Sequence, residues 1–288
     1  MSSLDESISR VPAIVGVSAK HMETGAEFRH NADGVFLTAS TFKVPLLVEL
    51  LCQVDQGKID LAQRIELTDD QRTPGSGVFK QLGAGLQPTV KDLAMLMIII
   101  SDNMATDILY NMVGRENLSA RLHTLGLSKT RIPMSTRELL YSVVGLDVDN
   151  PLHTYDMATD KLFLRQFVMD SDGFSEEKSD VSSPNDMCRL LEMVYRGEAL
   201  SGSSREVFFD IMKRQQLNNV LPLRLPAGTE SAHKTGSYHG VRCDVGLVYA
   251  PNGPYSVAIM AKQVTGEVLE TDMALAAVSR AIYDELVG

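Results

Sequence analysis

The spacing of apolar and polar residues changes several times along this chain, and each change marks a predicted element. Residues 13–18 form a short, largely β-branched run, and residues 27–30 can pair with it across the Glu23-Thr24-Gly25 turn. That pattern predicts a β-hairpin. From Ser40 onward, Val44, Leu47, Val48, Leu50 and Leu51 recur at helical spacing, and Gly57 ends the element. Ser40 is therefore expected at a helix N-terminus. Residues 60–206 alternate helical patterns with polar breaks and show almost no strand-like alternation. Three strands then follow at 232–237, 243–249 and 256–262, the last two joined by Pro251-Asn252-Gly253-Pro254. A closing amphipathic helix over 267–286 places Leu269, Met273, Leu275, Ala276, Val278, Ile282 and Leu286 near one face.

Strands at both ends with helices between them imply one sheet completed by the two ends of the chain. The expected fold class is α/β, with residues 1–59 and 207–288 forming a discontinuous sheet domain and residues 60–206 an inserted helical domain. A cleft is expected between them. At 288 residues and 44% hydrophobic content the chain can bury one large core or two modest ones.

The net charge of -10 argues against nucleic acid and anionic membrane surfaces as partners, because no basic stripe is present to release counterions. The longest wholly apolar run, 94–100, is too short to span a bilayer. Met-Ser-Ser-Leu-Asp-Glu has neither the basic nor the apolar region of an export signal, so the chain as given is expected in the cytoplasm. Cys52, Cys188 and Cys243 are widely spaced and read as reduced, packed thiols. No metal site is expected. Of the scattered histidines, only His239 lies close after a chemically suggestive motif.

Three motifs carry the chemistry: Ser40-Thr41-Phe42-Lys43, Ser101-Asp102-Asn103 and Lys234-Thr235-Gly236. A Ser-x-x-Lys pair alone is weak, since one is expected by chance about once in a chain of this length. The ordered set is the signal. Lys43 lies one helical turn from Ser40, and a desolvated lysine can take the serine proton. Ser101 can relay a proton to a leaving nitrogen, Asn103 can grip a substrate amide, and Asp102 can hold the loop through backbone amides. Lys234 is expected to point its charge outward from a strand, where Gly236 allows a ligand backbone to approach. The backbone N–H groups of Ser40 and Ser237 would form an oxyanion hole, with Lys234, Thr235 and Arg242 reading a substrate carboxylate. Nucleophile, base and oxyanion donors all come from the chain, so no cofactor is implied.

With those residues in place, the chain resembles the class A β-lactamases and the wider penicillin-recognising serine hydrolases over nearly its whole length. Residues 180–184 look like the stretch closing that family's omega loop, and residues 225–228 like the approach to its Lys-Thr-Gly strand. The resemblance implies a β-lactamase-like antiparallel sheet flanked by N- and C-terminal helices, plus an all-α domain. It implies Ser40 as the acylated nucleophile, Lys43 as its base, Ser101 as relay, Asn103 as substrate ligand, and Lys234, Thr235 and Ser237 on the carboxylate and oxyanion side. The substrate would be a β-lactam or a related small amide bearing a carboxylate.

One part departs from the family pattern. Where those enzymes carry a water-activating glutamate, with an asparagine four residues on, this chain has Thr136 and Leu140. Glu138, two residues away, is the nearest replacement by a register shift. Asp147, Asp149, Asp156 and Asp160 are alternatives that read more naturally as caps or solvated charges. The omega-loop region, about 135–180, is enlarged. Leu162, Phe163, Phe167, Val168 and Met169 suggest a helix covering the site, and residues 170–180 an exposed polar turn. These features leave four functions open: a β-lactam hydrolase, a slow-releasing β-lactam trap or sensor, a cell-wall peptidase, and an amidase or esterase for a carboxylate-bearing metabolite.

Overall fold

The structure, a computed structural model, describes residues 3–288. Met1 and Ser2, which begin the segment read above for an export signal, lie outside the described residues. The main sheet is antiparallel, in the order β2-β1-β7-β6-β5. Its strands are β1 (Ile14–His21), β2 (Glu27–His30), β5 (Glu230–Tyr238), β6 (Val241–Ala250) and β7 (Gly253–Lys262). Ends distant in sequence meet at its centre, where Val17 pairs with Ile259. Helices cover both faces, so the inner strands read as continuous apolar runs rather than alternating ones.

One face is covered by α1 (Ser3–Ser9) and α10 (Val268–Val287). Leu4 and Ile8 join Leu275, Val278 and Ile282 against Val15, Val17, Val257 and Ile259. The sequence pattern did not disclose α1, because a seven-residue helix presents only two apolar positions. On the other face lie α2 (Lys43–Asp55), α3 (Val90–Ile99), α4 (Asn103–Val113), α5 (Arg115–Thr124), α8 (Pro184–Arg196) and α9 (Gly202–Lys213). Every residue of α2 from Lys43 to Gln53 is buried, so it is a core helix enclosed by its neighbours. Gly57 follows it with φ +68°, a conformation that stops a helix at little cost to glycine. Among the described residues, no helix is long and apolar enough to cross a membrane.

A two-stranded ladder joins β3 (Phe36–Leu37) to β4 (Val181–Ser182). Strands this short carry no alternation to detect. Between α5 and β4 the enlarged segment folds as α6 (Thr136–Val143), α7 (Tyr155–Phe163) and irregular chain. The expected covering helix over 162–169 is not formed: α7 ends at Phe163, which is 85% exposed, and Met169 is 58% exposed. Phe167 and Phe174 turn inward instead. Phe167 stacks on His239 at 4.6 Å between ring centroids, and Phe174 meets Tyr238 at 5.5 Å. Aromatic pairing with the β5–β6 hairpin therefore anchors the segment. The expected exposed turn over 170–180 is also corrected at its end, where Ser179 and Asp180 are buried.

Candidate active site

Ser40 lies in a 3₁₀ turn, Ala39–Phe42, that runs straight into α2. The turn is strained at its start, where Ala39 has φ +44°. A non-glycine residue in that region costs on the order of 1–3 kcal/mol and persists where surrounding structure enforces it. Lys43 begins α2 and is fully buried. Its Nζ donates to Ser101 O at 2.9 Å, Ser101 Oγ at 3.0 Å and Asn103 Oδ1 at 2.8 Å. Burial, reinforced by the neighbouring Lys234 charge, holds the Lys43 pKa well below the usual lysine range. The amine is thus suited to accept a proton. Among the described residues, Ser40 Oγ has no hydrogen-bond partner; it faces a cavity of about 190 Å³.

That cavity gathers Ser40, Ser76, Ser101, Asn103, Thr235 and Ser237 from four separate parts of the chain, against an apolar wall of Leu139, Leu140 and Leu217. A larger cleft of about 520 Å³ between β1, β2 and α8 shares no residue with it and holds no serine and lysine in this arrangement.

Ser101 has φ +58°, the second strained residue at the cavity. Asp102 caps α4, accepting from Ala105 N at 3.0 Å, and its other oxygen accepts from Val78 N at 2.6 Å and Phe79 N at 3.0 Å. One carboxylate thus ties the 75–79 loop to the helix. Asn103 Nδ2 donates to Pro74 O at 2.8 Å, leaving its second hydrogen for a ligand. Ser76 was not foreseen. Its hydroxyl donates to Ser101 O at 2.7 Å and approaches Asn103 Oδ1 at 3.3 Å. The Pro74-Gly75-Ser76-Gly77 turn signal was present in the sequence, but nothing local linked it to the distant motifs.

On β5, Lys234 is not the outward charge the sequence suggested: it is fully buried. Its Nζ donates to Thr235 O at 2.7 Å, and burial lowers its pKa to about 7, against the attraction of Asp244. The reason is that β5, although an edge strand, has the Ser40 turn packed on it. Gly236 makes that packing feasible. A Cβ there would stand 2.7 Å from Thr38 O, 2.9 Å from Ser40 N and 2.9 Å from Thr41 N. The close approach expected for a ligand is thus made by the backbone of the Ser40 turn, which brings Ser40 and Ser237 to one cavity. Arg242 sits across the ladder from Ser237. Its guanidinium is largely committed to the hairpin, donating to Tyr238 O at 3.0 Å and Val241 O at 2.8 Å, with Asp272 3.4 Å away.

Glu138 does not reach the cavity. Both its oxygens take Arg115 Nη2 at 2.7 Å, and Oε2 also accepts from Ser135 N at 2.6 Å. With Ser135 it completes the capping box of α6. The carboxylate is fully occupied on the outer side. Thr136 and Leu140 do line the cavity. Asp147, Asp149, Asp156 and Asp160 do not. The three cysteines are free and buried. Among the described residues, no cluster of His, Cys, Asp or Glu could hold a metal ion.

A buried lysine one turn from a cavity-facing serine, a Ser-Asp-Asn loop and a close-packed Lys-Thr-Gly strand are the marks of a serine hydrolase. The chain belongs to the β-lactamase enzyme family, whose sequence profile matches residues 1–286. The β-lactamase CARB-4 of Pseudomonas aeruginosa is 24% identical over 277 residues, covering 94% of this chain and 85% of that protein. A β-lactamase structure from Sphaerobacter thermophilus superposes with TM-score 0.81 at 26% identity, covering 98% of this chain and 95% of that one. An acyl-enzyme complex of a PBP-A mutant with penicillin G gives TM-score 0.80 at 27% identity, covering 99% and 94%.

Proposed function

We propose that this protein opens β-lactams, or closely related carboxylate-bearing amides, through an acyl-enzyme on Ser40. The observation that carries the reading is Lys43: buried, its pKa held down by burial and the Lys234 charge, and hydrogen-bonded to Ser101 and Asn103 beside the Ser40 cavity. Lys43 takes the Ser40 proton as Oγ attacks the carbonyl carbon. The oxyanion is held by the backbone N–H groups of Ser40 and Ser237. Ser101 passes the proton to the departing nitrogen, while Asn103 holds the substrate amide. Thr235, Ser237 and the charge of Lys234 read the carboxylate. Arg242 shapes that end of the site through the hairpin.

Turnover of a chromogenic cephalosporin that disappears in Ser40→Ala, with a Ser40-linked mass adduct in the wild type, is the expected result. Equal turnover in the mutant would overturn the assignment. A second reading, an acylating protein that releases slowly, is favoured by one observation, the commitment of Glu138 to Arg115. Adduct lifetime after removal of free drug separates the two.

A further inference from the structure

The two ends of the site differ in size. The cavity that holds Ser40, Ser101 and Asn103 has a volume of about 190 Å³. Leu217, Thr235 and Ser237 line it and also line a more open chamber of about 610 Å³, which runs past Gly236 to Arg242. Pockets that take drug-sized ligands run to about 300–1,000 Å³. The chamber reaches that range and the cavity does not.

Leu140 is what limits the cavity. Thr136 and Leu140 stand four residues apart on α6, share a helix face and line the cavity together with Leu139. The Thr136 hydroxyl is buried, so the open part of this face is leucine. A Cβ on Gly75 would stand 2.6 Å from Asn103 Nδ2 and 3.1 Å from Leu140 Cδ1. The Leu140 methyl therefore closes against the 74–77 loop beside the Asn103 amide. Any group attached beyond a substrate amide held by Asn103 has to pass that point.

Neither wall yields cheaply. The loop is tied down by Asp102 through Val78 N and Phe79 N, and by Asn103 through Pro74 O. Leu140 rides on a helix whose first turn is fixed by Asp107, which accepts from Thr136 N at 2.7 Å and Arg137 N at 2.9 Å. Tyr141, the next residue, is fully buried. The other end is built differently. Gln216, Asn218 and Arg242 line the chamber with Leu217 and Leu223, which are 40% and 45% exposed. Amides, a guanidinium and half-exposed leucines can meet a bulky substituent without disturbing the core.

Resting on the acyl-enzyme reading above, we propose that Leu140 is a specificity-determining residue that closes the acyl-substituent side of the site. The substrates it admits are lactams or amides with little beyond the amide that Asn103 holds, and with their bulk on the carboxylate-bearing side, in the chamber past Thr235.

The test compares the second-order rate of Ser40 adduct formation, followed by intact mass, for four cephalosporins. They carry acetylamino or phenylacetylamino on the lactam ring, each combined with methyl or benzyl on the six-membered ring. In the wild type, phenylacetyl in place of acetyl should slow acylation by about tenfold or more, whereas benzyl in place of methyl should change it by less than about threefold. Leu140→Ala should speed the phenylacetyl compounds by about tenfold or more and leave the acetyl ones within about threefold. A gain of that kind cannot arise from a loss of folding. Leu140→Val, one methylene shorter, should move the selectivity the same way by a smaller factor, and it decides the matter if the alanine variant does not melt cooperatively. Equal wild-type rates for acetyl and phenylacetyl would overturn the inference, and so would selectivity unchanged by the substitutions. A protein acylated by none of the four overturns the acyl-enzyme reading and this inference with it. Acylation that favours the larger acyl group overturns this inference alone.

Discussion

A methyl group placed on Gly236 would lie 2.9 Å from the backbone nitrogen of Ser40. The strand and the Ser40 turn therefore touch through backbone, with no side chain to absorb an error. Gly236→Ala should force the two apart, costing on the order of 1–3 kcal/mol in stability. Acylation should fall further than stability alone explains, because the Ser40 and Ser237 amides no longer converge. A thermal melt paired with a burst measurement decides it: a normal burst from the alanine variant would show that the contact is not needed.

Lys234 gives a pH signature. In the unfolded chain a lysine titrates near about 10.4, whereas burial lowers the folded value to about 7. Between those pH values the unfolded state binds more protons, so stability rises with pH. At or below pH 7 the buried charge destabilises the fold in full. Lys234→Met should gain stability relative to wild type at pH 7, keep only part of that advantage at pH 9, and lose the rest above about pH 10.4. Urea unfolding at both values measures it, and a constant difference between the two proteins would contradict the lowered pKa.

Glu138 should matter to α6 and not to chemistry. Glu138→Ala removes the capping box and the Arg115 pair, with an expected loss of about 1 kcal/mol. Turnover per folded molecule should stay near wild type. A variant with unchanged melting temperature and abolished turnover would return Glu138 to the role its sequence position suggested.

The Phe167–His239 stack should set how firmly the enlarged segment holds the cavity rim. Phe167→Ala loses a pair contribution of about 0.5–1.5 kcal/mol beyond buried area. Faster amide exchange confined to about residues 155–178 is expected, together with a higher KM and a nearly unchanged kcat. Exchange identical to wild type would show that the segment is held elsewhere.

Cys52, Cys188 and Cys243 should be inert in the folded protein. Burial pushes their thiols up, to about 11 for Cys52 and to about 12 for the other two. A thiol-specific chromophore should report almost no reaction until denaturant is added, after which all three react. Rapid labelling of the native protein would mean that one of them is reached by solvent.

Much of this arrangement was legible from residue order. The apolar runs marked the strands near their true limits, because strands covered on both faces have no polar side to dilute the pattern. The motif set located Ser40, Ser101 and Asn103, which meet at one cavity, and Lys43, which is buried against the last two. What the sequence hid depends on pairings across the fold. Lys234 was misread as outward because no local pattern tells an edge strand that another turn will pack on it. Thr136 marked a departure from the family pattern, and only the fold shows that it forms a cavity wall with Leu139 and Leu140. Ser76 and the β3–β4 ladder belong to the same class: short pieces whose meaning lies in a distant partner.

The strand order has a consequence for synthesis. Ser40 and Lys43 emerge early, but the surface that completes their cavity, Thr235 to Ser237 on β5, is made near the end of the chain, and β1 finds its central partner only in β7. A nascent or truncated chain therefore carries a serine and a lysine with no oxyanion hole and no dry pocket to lower the lysine's basicity. On the proposed mechanism, reactivity arrives with the last strands, so a molecule able to attack a substrate has already closed its sheet.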